Sequence, residues 1–178
     1  ANDADCNALE AWGISLGSSS TTVAVIDDGL ENHEDFNNAS GQSRYTAGFS
    51  PANNGNGDAI TGSNHGVACA GSITASHNSV GVRGVAPLAN IISVNIFVGG
   101  ESTQDLADGF TWAKNQGADV IRLDAVAFLW KKIGTISQNE REAHLILQLF
   151  KDCCQVTAPG VLFIAEAIVA PLEIIKYF

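Results

Sequence analysis

A three-layer α/β fold, in which a doubly wound parallel sheet lies between two layers of helices, is the class that this sequence predicts. Short runs rich in β-branched residues, such as 21–26 and 90–97, alternate along the chain with segments of helical spacing, such as 103–115. Strands that alternate with helices pair in parallel and carry the helices on both faces of their sheet. The length of 178 residues suits one domain, so we expect residues 1–178 to form a single α/β unit.

Composition and spacing locate the individual elements. Strands are predicted, in chain order, at 21–26, 44–49, 90–97, 119–123 and 161–165. Helices are predicted at 66–75, 103–115, 141–154 and 172–178, and Gly117 follows the second of them as a C-cap glycine does. Leu145, Leu149 and Phe150 are expected to face inward from the helix at 141–154.

The net charge, the apolar runs and the first residues of the chain limit the possible partners. A net charge of −10 argues against a nucleic-acid or anionic-membrane partner, since both need a basic face. No apolar run approaches the roughly 18 residues that span a bilayer. The chain begins with an acidic stretch instead of a positively charged leader, and it contains no methionine. We therefore expect a processed or truncated product, with a homodimer through exposed apolar surface as its only foreseeable partnership.

The cysteines give little information on function. Cys6, Cys69, Cys153 and Cys154 form no CxxC pair and no zinc spacing with a histidine. We expect them to be small buried hydrophobic residues, which leaves the redox compartment open.

Three motifs occur in a fixed order within the first 118 residues. VAVIDDGLENHEDF begins at Val23, HGVACAGSI begins at His65, and GVAPLANIISVNIF leads into the third predicted strand. Together they resemble the subtilisin-like serine proteases, or subtilases. The resemblance places Asp27 on the catalytic aspartate of that family and His65 on its catalytic histidine. It also implies a secreted origin and a parallel sheet of order 2-3-1-4-5 with right-handed crossovers.

The chemistry of these two residues agrees with the resemblance. A carboxylate at the C-terminal end of a strand can accept the imidazole N–H, fix the tautomer and stabilise the imidazolium. Asp27 ends the first strand and His65 opens a helix at the same edge, so we expect them to pair. The serine turn of the family, of the Gly-Thr-Ser-Met-Ala type, and its oxyanion asparagine are absent from the sequence. The sequence therefore does not predict proteolysis by the serine mechanism.

The last third of the chain carries a second resemblance. GADVIRLDAVAFLWKKIGT, beginning at Gly117, and PGVLFIAEAIVAP resemble barrel strands four and five of the α-amylase superfamily, nearest its sucrose-cleaving branch. The resemblance places Asp124 on the nucleophile of that family, Arg122 on the arginine two residues before it, and Glu166 on the general acid/base. A retaining glycosidase needs two carboxyl groups about 5–5.5 Å apart. However, the third acid of the family, its sugar-binding histidines and most of its barrel strands are absent.

The two resemblances overlap at residues 117–121, where the second segment enters in register as the next strand, helix and strand. We expect a chimera, engineered or recombined, of a subtilase-like segment at 1–118 and an amylase-like segment at 119–178. Because each catalytic set is incomplete, the main expectation is a scaffold without native activity.

Two alternatives remain open. The first is residual hydrolysis, either of a glycosidic bond through Asp124 and Glu166 or of an ester or peptide through Asp27 and His65. The second is weak binding of a divalent cation such as calcium where these acids meet at the carboxyl ends of the strands.

Overall fold

The computed structural model describes residues 7–167, 169–175 and 177. Within these residues the strands are β1 (Thr22–Asp27), β2 (Tyr45–Phe49), β3 (Asn90–Asn95), β4 (Val120–Leu123) and β5 (Leu162–Ala165). The helices are α1 (Ala8–Trp12), α2 (His65–Thr74), α3 (Thr103–Asn115), α4 (Arg141–Thr157) and α5 (Pro171–Ile174). Short 3-10 turns occur at Glu34–Phe36, Pro51–Asn53 and Val126–Phe128.

The strands form one parallel sheet in the order β2-β3-β1-β4-β5. This order confirms the one that the subtilase resemblance implied. Because all the strands run in one direction, their carboxyl ends meet at a single edge of the sheet. Asp27 ends β1 at this edge, and Asp124 and Glu166 directly follow β4 and β5 there.

Helices cover both faces of the sheet, as predicted. Successive strand residues point to opposite faces, so Ala24 of β1 packs under α3 and α4, whereas Val25 packs under α2. Gly117 follows α3 with a φ of 80°, the left-handed conformation that a glycine adopts after a helix end.

The predicted inward face of α4 is confirmed for Phe150 and wrong for Leu145 and Leu149. Ala143 and Leu147 are buried and Phe150 packs against the same core cluster, whereas Leu145 and Leu149 are 55% and 65% exposed. Residues 143, 147 and 150 follow the spacing of four and three residues that aligns side chains on one helical face. Leu145 and Leu149 each lie two positions from Leu147, which turns them about 200° away from its buried side chain.

The cysteines are also less buried than predicted. Cys153 is exposed, Cys69 and Cys154 are half-buried, and these three are free thiols; Cys6 lies outside the described residues. Cys154 continues the buried stripe of α4, where burial raises the pKa of its thiol. Cys153, one position earlier, is turned away from that stripe by about 100°.

The C-terminal helix is shorter than the predicted 172–178. α5 ends at Ile174, Tyr177 then returns to the core, and Phe178 lies outside the described residues. No helix in the described part of the chain combines the length and the apolar character that crossing a bilayer would need.

Candidate active site

Asp27 occupies the end of the central strand. Its side chain is almost wholly buried, and one carboxylate oxygen accepts the backbone N–H of Asp28 at 2.7 Å. It points to the face of the sheet that α2 covers, since it lies two residues after Val25. The fold thereby turns this carboxylate toward the start of α2.

Asp28 fixes where α2 begins. Its two carboxylate oxygens accept the backbone N–H groups of His65 at 3.1 Å and Gly66 at 2.6 Å, which satisfies two amides that a helix N-terminus leaves unpaired. Gly66 is required at this position because a Cβ there would lie 2.4 Å from the carbonyl oxygen of Gly29. These contacts place His65 against the end of β1.

His65 and Asp27 form the pair that the sequence predicts. Nδ1 of His65 lies 3.0 Å from each carboxylate oxygen of Asp27. A carboxylate can only accept, so Nδ1 carries the proton and Nε2 is left as the basic nitrogen. The hydrogen bond that His65 donates to Asp27 raises the pKa of His65 above its usual 6.5, against a smaller opposing effect of burial. The His65 side chain is 52% exposed, so Nε2 can reach a ligand from solvent.

Arg122 joins the two sets of predicted site residues. It lies on β4 in register with Val25, so its side chain shares the α2 face with Asp27. Its guanidinium donates to Asp27 and Glu166 and lies 2.9 Å from Asp124. The structure therefore brings all five predicted site residues together around one buried guanidinium.

The environment of Arg122 favours its charge. Burial works to lower its pKa, but the opposing effects of Cys69, Asp124, Asp27 and Glu166 together raise it. A buried guanidinium with several carboxylate partners stays ionised, and so it holds the neighbouring acids at the sheet edge.

Asp124 and Glu166 are neighbouring acids at the carboxyl ends of β4 and β5. A hydrogen bond with Asp124, reinforced by burial, raises the pKa of Glu166, and the charge of Arg122 only partly opposes this. Ligand atoms of Asp124, Glu166 and His65 all lie within 4.8 Å of one another, as do those of Asp27, His65 and Cys69. Each of these is a cluster of three side chains, in the described part of the chain, that could hold a metal ion.

Cys69 is a neighbour of the site that the sequence analysis did not single out. It lies one turn after His65 on α2, with its Sγ 3.8 Å from Nδ1 and 3.9 Å from Nε2. Burial raises the pKa of the thiol to about 11, so it is not a thiolate at neutral pH. Its spacing of four residues from His65 is the signal that could have identified it.

A hydroxyl nucleophile is missing from this arrangement. Among the described residues, no serine or threonine hydroxyl hydrogen-bonds His65; its side-chain partners are Asp27 and the sulfur of Cys69. The described residues thus contain a histidine–carboxylate pair of the kind found in catalytic triads, with no hydroxyl hydrogen-bonded to it.

The Subtilase family model matches residues 18–125, a range that contains both members of the pair. The chain belongs to the subtilases. A calcium-dependent protease from Trichormus variabilis is 39% identical over 127 residues, which are 67% of this chain and 17% of that protein. The solved structure of MycP1 without its N-terminal propeptide aligns with a TM-score of 0.62 and 23% identity. It covers 89% of this chain and 45% of MycP1, so the similarity in fold extends beyond the residues that the family profile matches.

A relative of another kind also matches. A glucosylglycerate phosphorylase from Spirochaeta thermophila is 40% identical over 74 residues, which are 42% of this chain and 13% of that protein. The chain therefore spans less than a fifth of the length of the calcium-dependent protease and of the phosphorylase.

Proposed function

We propose that this edge of the sheet is a hydrolytic site in which His65, oriented by Asp27, acts as a general base on water. The observation that supports this most directly is the double contact of Nδ1 with both oxygens of a buried carboxylate, at 3.0 Å each. That contact fixes the tautomer, stabilises the imidazolium that forms, and leaves Nε2 partly exposed.

The proposed reaction is the hydrolysis of a carboxylic ester. Nε2 of His65 removes a proton from water as the water oxygen attacks the ester carbonyl carbon. The bond from that carbon to the alkoxy oxygen then breaks, and the proton on His65 passes to the leaving alcohol. The products are one carboxylic acid and one alcohol, and His65 returns neutral.

Esters are preferred to peptides as substrates because the site lacks a hydroxyl nucleophile. The amine of a peptide bond is a poorer leaving group than the alcohol of an ester. Its release therefore depends more on the serine nucleophile and the oxyanion asparagine, which the sequence does not contain. The expectation of an inactive scaffold depended on that same deficiency. Membership of a protease family favours the hydrolase alternative instead.

The test is hydrolysis of para-nitrophenyl acetate by the purified chain and by His65→Gln and Asp27→Asn. His33→Gln is the matched control, since it removes an exposed imidazole outside the site. We expect a loss of about 10²-fold or more for His65→Gln, in the range of general-base catalysis, and no loss for His33→Gln. Equal rates for His65→Gln and the unchanged chain would refute the proposal.

Cleavage of a glycosidic bond is a second candidate, supported by the shared hydrogen bond of Asp124 and Glu166. Ligand oxygens of the two acids lie within 4.8 Å of each other, which is nearer than the separation of about 5–5.5 Å between the carboxyl groups of a retaining glycosidase. The raised pKa of Glu166 suits a general acid, and the guanidinium of Arg122 lies 2.9 Å from the Asp124 carboxylate. Release of glucose from sucrose, lost in both Asp124→Asn and Glu166→Gln, is the result expected of this candidate.

We also propose that the chain combines a subtilase segment at 1–118 with an amylase-superfamily segment at 119–178. Support comes from the family match, which ends at residue 125, and from the partial identity to glucosylglycerate phosphorylase. The test is to express residues 1–118 and residues 119–178 separately. A segment that is a complete natural unit would fold alone, whereas a segment that supplies only part of one shared sheet would not.

Calcium remains a proposed ligand, prompted by the calcium-dependent protease among the relatives. The strand-end cleft suits it poorly, since Arg122 already lies among the carboxylates that a dication would need. Asp35 suits it better. Its Oδ2 accepts the N–H of Val82 at 2.9 Å, while its buried Oδ1 has no hydrogen-bond partner among the described residues. We propose that Asp35 contributes an oxygen ligand to bound calcium.

Self-association is the partnership that we propose. Leu145 and Leu149 form an apolar outer side of α4, and Leu172 of α5 is also largely exposed. Burying such side chains between two copies is favourable, at about 25 cal/mol per Å² of apolar area. We do not propose nucleic acid or an anionic membrane as a partner, because the net charge of −10 opposes binding to both.

A further inference from the structure

An apolar cavity of about 450 Å³ lies between α3 and α4 at the carboxyl end of the sheet. Leu106 and Phe110 of α3 line one side, and Ile146 and Phe150 of α4 line the other. Among its described lining residues, only Asp124 and Lys131 carry a charge. Cavities of this size are typical of small-molecule sites, and the apolar lining selects an apolar ligand.

Asp124 connects this cavity to the hydrolytic site. Asp124 is one of the residues that line the cavity, and its Oδ1 lies 3.9 Å from Nδ1 of His65. A ligand that fills the cavity and ends at Asp124 would therefore place its terminal group beside the imidazole.

The charge balance selects a neutral ligand. Asp27, Asp124 and Glu166 surround the single guanidinium of Arg122, so the polar end of the cavity has an excess of negative charge. A fatty-acid carboxylate would be repelled there. Lys131 does not offset this repulsion, because its side chain is exposed and its ammonium lies 5.6 Å from the centre of the Phe128 ring. An uncharged carbonyl avoids the repulsion.

We infer that the cavity binds the unbranched acyl chain of a carboxylic ester, with the carbonyl at the Asp124 end beside His65. The volume is about three times that of an engineered apolar cavity of roughly 150 Å³ that admits benzene, so a medium-length chain has room. This inference rests on the proposed hydrolysis, for which it specifies the substrate class.

The test uses two variants of α4. Ile146→Trp adds bulk to the cavity wall, whereas Gln148→Trp adds the same bulk two residues away at an exposed position that does not line the cavity. Both positions are partly open to solvent, so both variants are expected to fold, which circular dichroism and melting temperature check. Binding is measured by calorimetry with methyl heptyl ketone, which carries the heptyl chain of an octanoyl ester but cannot be hydrolysed. Octanoate is the anionic comparison.

Hydrolysis is measured with para-nitrophenyl octanoate and para-nitrophenyl acetate. We expect the ketone to bind the unchanged chain and Gln148→Trp, and to bind Ile146→Trp about tenfold more weakly, roughly the effect of withdrawing two methylene groups from an apolar site. The ratio of kcat/KM for para-nitrophenyl octanoate to kcat/KM for para-nitrophenyl acetate should fall by a similar factor in Ile146→Trp, and it should not change in Gln148→Trp.

The two proposals fail separately. Ketone binding that depends on Ile146, without turnover of either ester, would support the cavity as an acyl site and overturn the proposed hydrolysis. Equal binding by Ile146→Trp and Gln148→Trp, or tighter binding of octanoate than of the ketone, would overturn the inference about the cavity whatever the hydrolytic rates.

Discussion

Arg122 on β4 donates a hydrogen bond to Asp27 at the end of the neighbouring strand. The carboxylate that orients His65 is thus shared with a buried cation, and the positive charge of Arg122 lowers the pKa of His65 while the Asp27 hydrogen bond raises it. The pKa of His65 therefore depends on how the Asp27 carboxylate is shared between the imidazolium of His65 and the guanidinium of Arg122.

Replacement of Arg122 by glutamine should raise the pKa of His65 further, because the opposing charge is removed. It should also lower the free energy of unfolding by about 3 kcal/mol, because three carboxyl groups in a partly buried site lose the positive charge that they contact. These are Asp27, Asp124 and Glu166. NMR titration of the His65 ring, assigned with His65→Gln, measures the first effect and urea unfolding the second. An unchanged or lowered pKa would contradict the assigned role of Arg122.

The pair should also make stability depend on pH. The folded-state pKa of His65 lies above the usual 6.5, so the folded protein holds the His65 proton more tightly than the unfolded chain. Its contribution to the free energy of unfolding is fully present below about pH 6.5 and is lost as the pH rises through the folded value. Urea unfolding at a series of pH values should show this decline, and Asp27→Asn should flatten it. A steeper decline in Asp27→Asn would be inconsistent with the pairing.

Two glycines of α2 should respond in opposite directions to alanine. Gly66→Ala should cost about 1–3 kcal/mol, because the new Cβ would lie 2.4 Å from the backbone oxygen of Gly29. Gly71→Ala should gain roughly 0.5–1 kcal/mol, since its Cβ would meet only Val82, at an ordinary 3.5 Å, and alanine is the better helix former. Urea midpoints of the two variants decide this, and a destabilised Gly71→Ala would show tighter packing of α2 than the structure has.

Calcium should raise the melting temperature through Asp35. At a calcium concentration of about 100 times the dissociation constant, one site adds about 2.7 kcal/mol of stability. Asp35→Asn should abolish this increase, whereas Asp124→Asn should retain it because Arg122 already occupies the cleft. The reverse pattern would place the ion in the cleft, and no increase in any of the three proteins would exclude the site.

Leu149→Glu should favour the monomer, because it places a charge on the apolar outer side of α4. Gln148→Glu is the matched control, with the same charge next to that side. Light scattering over a range of concentrations should show a mass that rises for the unchanged chain and for the control, but not for Leu149→Glu. A concentration-independent monomer in all three proteins would exclude this surface as an interface.

The sheet order and the Asp27–His65 pair were predictable because both depend on local motifs whose family fixes their place in the fold. The inward face of α4 was not, since two stripes of that helix are apolar and the sequence does not show which one meets the sheet. Leu147 and Phe150 pack inward with Ala143, while Leu145 and Leu149 remain outside. The contact of Arg122 with Asp27 was equally hidden, because it joins residues 95 positions apart through a strand register that only the folded sheet defines.

The start of α2 depends on a side chain 37 residues earlier in the chain. Asn64, the residue just before the helix, makes no capping hydrogen bond of its own, so Asp28 has to be in place before the first turn is satisfied. Contacts of such separation form slowly and together with the rest of the sheet. We therefore expect His65 to reach Asp27 only as the whole domain becomes ordered, so recovery of the proposed esterase activity during refolding would report on that step and not on the formation of the helix.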